Sequence, residues 1–520
     1  MVKEADLAAL RTPLDGIVLE RVGASQDHFE LEEGPFYNYS RTLTVADGSE
    51  VGTFDVTEEV TWKLAIPVFG LLLWVPFWLH VRAGQRNPSP WWAPSGRLDT
   101  RAARVMGFLG VLALINGFLG TVLGQTLTFA ADEFCSEFET SAEGLRTCID
   151  SANDTSARAN VFTIVRVSIV LSLLLTIAAD RFGRKQALTA AATISCAATA
   201  AGAFSTNLAL LTLSQVFSRG LATGLAIVIL VFASEELPAK SRAYGVSMLI
   251  LLAGLGSGTV VWLLPLADVA PWGWRLVYGA ALIWVPAVLW AGTRLPTTRR
   301  FAALQKQKAS RSLSEMWQSE KLRNRLLLLG VASLLTAVFA TPASQFDNQF
   351  LRDELGFTAT RISVFTLITS TPIGVGVMTG GILADRIGRR GVGAFGLLVG
   401  AIMTVLSFYS NEFWIFPTRA IGVILGSGFA VAGLAVYGPE LFPTRLRGTA
   451  NGVITAFGVG GSVIGLQLVG RLAERFGAFA PALLIAAIGP TIVVVLILTR
   501  YPETANRTLE ELNDEDFHPE

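Results

Sequence analysis

The chain has 520 residues, of which 52% are hydrophobic and only 16% charged, with a mean hydropathy of +0.51. So little charge cannot cover a soluble surface of this size, and lipid is the solvent the composition implies. Lysine plus arginine equal aspartate plus glutamate at 41 each. That balance gives no nucleic-acid stripe, and three His and three Cys build no metal, nucleophile–base or phosphate-loop constellation, so neither an enzyme nor a cofactor is expected.

Residues 1–62 form an acidic segment holding Glu30, Glu32, Glu33, Glu58 and Glu59. The apolar run 63–82 is long enough, at about 20 residues, for an extra transmembrane helix. Pro67 and Pro76 interrupt it, and the flanking Trp62, Trp74, Trp78, Trp91 and Trp92 make a kinked interfacial helix the alternative. A basic linker, 83–103, follows. Apolar runs at 104–131, 159–179, 187–206, 208–233, 243–266 and 273–293 then predict six spans, an N-terminal bundle over 104–294. A polar, basic linker (295–323) leads to six more runs at 324–350, 362–383, 391–410, 412–438, 448–470 and 478–499. These make a C-terminal bundle over 324–500, with a tail at 501–520.

Arginine and lysine concentrate in alternate loops, which the positive-inside rule assigns to the cytoplasm. That assignment puts the C-terminal tail inside and, provided 63–82 spans, the acidic segment outside. Cys135 and Cys148 share one loop on the outer side and are placed to form a disulfide. Cys196, inside an apolar run, reads as packing.

Two phrases repeat at one offset. Asp180-Arg181-Phe182-Gly183-Arg184 and Asp385-Arg386-Ile387-Gly388-Arg389 lie 205 residues apart, as do Glu235 and Glu440, Pro238 and Pro443, and Arg242 and Arg447. Such a repeat of charged hairpins is the mark of a duplicated polytopic unit. Each glycine permits a tight reversal, and the acids and bases around it form a charge cluster able to hold one conformation and release in another. Twelve of these residues, all but Phe182, Ile387, Pro238 and Pro443, are the candidate cytoplasmic gate.

These motifs resemble the major facilitator superfamily. The exit phrase Tyr501-Pro502-Glu503-Thr504 resembles its sugar porters and metabolite:proton symporters, over roughly residues 104 to 512. The resemblance implies an all-α multi-pass fold of two pseudo-symmetric six-helix bundles, here with one extra N-terminal helix, a central cavity, alternating access, and a location in the plasma membrane. Thr176 stands where the family hairpin has a glycine, whereas Gly381 supplies it in the second copy. The glycines Gly254, Gly256 and Gly258 lack the Gly-Pro signature of drug antiporters, which lowers the efflux reading.

Ionisable residues inside spans are costly and are functional candidates. Arg219 lies sixteen residues before Glu235, about 24 Å from the cytoplasmic end at 1.5 Å per residue, too deep to snorkel inward. Arg166 and Arg419 reach either the cavity or the outer surface. Asn116 and Gln125 sit in the first bundle helix, which has no interior carboxylate, so a proton carrier must lie elsewhere. Asp347 and Asn348 are the next candidates, Asp347 either pairing with Arg219 or capping an external helix end. The expectation is a monomeric, proton-coupled importer of a small polar metabolite, an organic anion or a sugar. Proton-driven efflux of drugs or lipids, and a non-transporting receptor on the same fold, are the alternatives.

Overall fold

The computed structural model describes residues 2–49, 53–82, 90, 92–94, 96–136, 138–140, 146–148, 154–238, 241–296, 317–434, 437–442 and 446–505. The N-terminal segment is a folded module. Helix α1 (Glu4–Leu10) accompanies five antiparallel strands, β1 (Val2–Lys3), β2 (Leu19–Val22), β3 (His28–Glu33), β4 (Phe36–Asp47) and β5 (Thr53–Leu64), in the order β1-β5-β4-β3-β2. Alternation in Thr42-Leu43-Thr44-Val45 and in Asp55-Val56-Thr57 suits strands half covered on one face. Inside it Arg41 pairs with Glu20 at 2.6 Å, and the Tyr39 hydroxyl donates to the same carboxylate. The expected helical membrane fold holds over the rest of the chain, and this sheet is an addition to it: most of the glutamates of 1–62 lie on strands, Glu32, Glu58 and Glu59 on their exposed sides.

The run 63–82 is not one helix. Its first residues complete β5, residues 65–69 turn sharply with Val68 at φ 62°, and helix α2 (Gly70–Arg82) has 13 residues. At 1.5 Å per residue that is about 20 Å, short of the roughly 30 Å hydrocarbon core. The turn wedges against the first bundle helix, where a Cβ on Gly107 would meet Pro67 at 2.4 Å and one on Gly110 would meet Phe69 at 2.8 Å. Phe77, towards the other end of α2, packs on Phe36 of the sheet and on Trp92. The chain thus dips beside the bundle and returns. The sheet therefore packs beside the start of α3, at the hairpin end of the bundle. Thr100 donates to the Phe36 carbonyl at 2.9 Å, and Arg97 pairs with Asp15 at 3.0 Å.

The N-terminal bundle consists of α3 (Thr100–Phe134), α4 and α5 (Thr155–Val167 and Ile169–Phe182, one rod broken at Ser168), α6 (Arg184–Gly202), α7 (Leu208–Glu236), α8 (Arg242–Leu263), and α9 with α10 (Trp274–Gly279 and Ala281–Arg294). The C-terminal bundle repeats the plan. It runs α11 (Glu320–Gln345), with α12 (Asp347–Asp353) at its end, α13 with α14 (Ala359–Ser370 and Ile373–Ile387), and α15 (Arg389–Phe408). Then come α16 (Ile415–Ile421), continued by a π-helical turn at Gly422–Gly428 and by α17 (Phe429–Leu434), α18 (Arg447–Phe476), and α19 with α20 (Phe479–Ala486 and Ile488–Arg500).

Close approach between helices relies on glycine. A Cβ on Gly117 would fall 1.8 Å from the Ala253 carbonyl, and one on Gly461 would fall 2.1 Å from that of Leu334. Each bundle therefore packs its first helix tightly on its fifth, α3 on α8 and α11 on α18.

Candidate site: a central cavity between two charged ends

At the hairpin end, Gly183 and Gly388 have φ of 98° and 113°, conformations that glycine adopts freely. Arg184, at the start of α6, forms an ion pair with Glu235 near the end of α7. Arg101 pairs with the neighbouring Glu236 at 3.1 Å. In the second half, Glu503 of the exit phrase accepts from the backbone amides of Arg389 and Arg390, at 2.9 and 3.2 Å, so a carboxylate covers the positive end of α15. Arg181 and Arg386 are exposed. The side chains of Asp180, Arg242, Asp385, Glu440 and Arg447 lie outside the described set.

Between the two bundles is a cavity of about 200 Å³, to which α4, α5, α7, α11 and α18 contribute. Arg166 and Arg219 both line it, with Thr223, Gln345 and Thr455, and among the described residues no carboxylate lines it. Arg166 stands two residues before the break at Ser168, so local backbone irregularity faces the chamber. The Gln345 Oε1 is buried without a hydrogen-bond partner among the described residues, as is the Asn116 Oδ1 on α3.

Two sequence candidates are joined to each other. Asn348 donates from Nδ2 to the Gln125 side-chain oxygen at 2.9 Å, bridging the halves. Asp347 pairs with Arg419, not with Arg219 as one reading of the sequence had it: Arg419 Nη2 is 2.5 Å from Asp347 Oδ1. The physical reason is position, since Asp347 begins α12 beyond the last turn of α11 and faces α16 of its own half.

Beyond the cavity, contacts between the halves accumulate. Arg158, only 3% exposed, pairs with Asp132 at 3.0 Å and with Asp353 of the other half at 3.2 Å, while Arg352 meets Asp132 at 2.5 Å. Asp268 receives the amides of Ala359 and Thr360 at the start of α13, Gln349 reaches Thr155, and Gln467 bonds Asn160 and Thr163. The far end is therefore sealed across the bundle interface. Sequence reasoning passed over Arg158, Arg352, Asp353 and Asp268 because their partners are remote in the chain; their one local signal was charge at helix ends. Cys135, in the same region, is disulfide-bonded, and Cys196 is free and buried. The side chain of Cys148 lies outside the described set.

Residues 109–328 match the family model described as "Sugar (and other) transporter", and residues 344–518 match "Major Facilitator Superfamily". The cis,cis-muconate transport protein of Acinetobacter baylyi (strain ATCC 33305 / BD413 / ADP1) is 27% identical over 260 residues, 46% of this chain and 60% of that protein. The arabinose-proton symporter of Bacillus subtilis (strain 168) is 25% identical over 389 residues, 64% of this chain and 81% of the symporter. The inward-open structure of the xylose transporter XylE from E. coli superposes with a TM-score of 0.61 at 16% identity, covering 79% of this chain and 99% of that one.

Proposed function

The chain belongs to the major facilitator superfamily of membrane transporters, and we propose that it imports a small organic anion, best a dicarboxylate, by alternating access in symport with protons. The observation that carries this reading is the pair of arginines, Arg166 and Arg219, on one small cavity whose described lining residues offer no counter-charge. A guanidinium held at membrane depth costs several kcal/mol unless it is paired. A carboxylate matches its fork with two parallel hydrogen bonds, and a molecule with two carboxylates satisfies both arginines. The muconate relative is named for such a dianion. A second reading, a neutral polyol, draws on the unpartnered acceptors of Asn116 and Gln345, which suit hydroxyl donors, and on the arabinose-proton symporter.

In this reading the hairpin end faces the cytoplasm of a cell whose plasma membrane holds the protein as a monomer, and the disulfide-bearing far end faces out. The halves rock about the cavity, with the far-end ion network closed while the path leads inward. The proton is assigned to Asp353 in that network, since α3 offers no interior carboxylate. Paired hairpins and a central chamber support transport over a receptor role, and the missing Gly-Pro signature speaks against drug efflux.

The test is calorimetric binding to the purified protein of cis,cis-muconate, shorter dicarboxylates, nicotinate and arabinose. Dicarboxylate binding that disappears in Arg219→Leu is the expected result. Arabinose binding that survives Arg219→Leu, with no dicarboxylate bound, would replace the anion by the polyol.

A further inference from the structure

A second cavity, of about 710 Å³, lies outside the transport path, between α2 on one side and α3 and α8 on the other. Its walls are apolar: Phe69, Leu72, Met106, Met248, Leu251 and Leu255 line it. Leu72, Leu251 and Leu255 are also exposed, at 66%, 57% and 50%. The remaining outward face of α2 presents Leu71, Trp74, Val75 and Leu79, a surface that belongs in lipid. The mouth of the cavity is thus continuous with the lipid-facing surface at the hairpin end. Its other end is a polar rim made of Asp15, Glu33 and Arg97, beside the Tyr244 ring.

We propose that this cavity holds one acyl chain of a membrane phospholipid whose amine-bearing head group sits at the rim. The apolar walls offer water no hydrogen bonds, so the space is filled by hydrocarbon, and the leaflet that touches α2 is its source. The head-group assignment follows from charge. Among the described residues, two carboxylates and one guanidinium leave the rim with a surplus negative charge, so an ammonium meets Asp15 or Glu33 while the phosphate meets Arg97. A purely anionic head group would meet repulsion there. The site exists because residues 63–82 dip and return instead of crossing: a spanning helix would lie parallel to α3 and α8 and leave no wedge beneath it. It joins the sheet module to the bundle through lipid as well as through protein.

Native mass spectrometry of the full chain, released from nanodiscs of equal phosphatidylethanolamine and phosphatidylglycerol, tests this. One phosphatidylethanolamine per chain is the expected adduct. Leu72→Trp combined with Leu251→Trp fills the mouth from exposed positions and is expected to cut that adduct at least tenfold. A second measurement needs no variant: phosphatidylethanolamine with a photoreactive acyl chain is expected to label peptides containing Met106 and Met248. An absent adduct, preferential retention of phosphatidylglycerol, an adduct unchanged in the double variant, or labelling confined to outer positions such as Ile283 overturns the proposal.

Discussion

Arg419 Nη2 stands 2.5 Å from Asp347 Oδ1, an ion pair within the C-terminal half, flanked by the rings of Phe365 and Phe408. It takes up the acid that the sequence offered to Arg219, and it leaves Arg166 and Arg219 as the cations of the central cavity. Asp347→Asn strands the Arg419 guanidinium beside these rings, and because the two side chains are 14% and 20% exposed the cost falls below the ~3–5 kcal/mol of breaking a fully buried pair from one side. The expected outcome is a markedly lower unfolding temperature with ligand affinity unchanged. Scanning fluorimetry and calorimetry on the same sample check both halves of that statement.

The two cavity arginines give a contrasting result. Removing a hydrogen-bonding partner from a charged ligand is worth about 1.5–3 kcal/mol, so Arg166→Leu and Arg219→Leu are each expected to weaken anion binding between about 10- and 150-fold. The double variant falls short of the product of the two, because both side chains address one ligand. Arg219→Lys keeps the charge but loses the fork and is expected to fall between.

The far-end seal carries a pH dependence. Burial pushes Asp353 up to about 6, with Arg158 opposing and Asp132 reinforcing the rise; Arg352 and Glu354 are its charged neighbours on and beside its own helix. In an open, solvated state the carboxyl returns to about 3.9. The sealed state therefore binds the proton more tightly, and the stabilisation that protonation gives it is full below about pH 4 and fades as pH rises through about 6. Spin labels at the exposed Phe204 and Phe413 are expected to move apart between pH 5 and pH 8, estimated from that window, and Asp353→Asn to hold the short distance throughout. A distance insensitive to pH in the native chain would remove Asp353 from the coupling step.

Glu503 behaves in the opposite sense. Burial works to raise its carboxyl, but four backbone amides, those of Ala505, Arg389, Arg390 and Thr504, outweigh this and hold it below the usual carboxylate range. A carboxylate so depressed stabilises the fold at and above its ordinary pKa, and that contribution disappears as pH falls through the lowered value. Glu503→Gln removes the charge over the first turn of α15, a loss of about 1 kcal/mol by comparison with other helix caps. The variant's thermal stability is expected to differ from the native chain at pH 7 and to converge with it in acid.

The docking of the N-terminal module can be broken at one atom. A side chain at position 107 would start 2.4 Å from the Pro67 ring and 2.8 Å from its nitrogen. Gly107→Leu is therefore expected to lift the 65–69 turn away from α3, seen as faster proteolysis of the segment between the module and the bundle.

The bundles were legible because their signals are long and repeated: twelve apolar runs of span length, and charged hairpins at a fixed offset. The apolar content of 63–82 was equally legible, yet length of run does not fix length of helix. Pro67 and the left-handed Val68 end the strand and start the helix inside what hydropathy scores as one segment. The sheet was overlooked because five glutamates attract more notice than the alternation around Thr42 and Val56. Of the site, Arg219 was identified by depth alone. That Arg166 shares its chamber, and that Asn348 finds Gln125 across the interface, depends on how helices some 50 to 220 residues apart are rotated, which no local pattern carries.

The 205-residue offset of the hairpins does not extend to the first helix of each bundle: those helices begin at Thr100 and Glu320, 220 residues apart, so Asp132 and Asp353 fall opposite Arg352 and Glu133, and charge stands at the far end of both halves. Among the described residues the hairpin ion pair of Arg184 with Glu235 stays within one half, whereas the far-end pairs of Arg158 with Asp353 and of Arg352 with Asp132 clasp the two halves together. Such a clasp makes parting the far end a step that must break several ion pairs at once, so the work of resetting the molecule falls there.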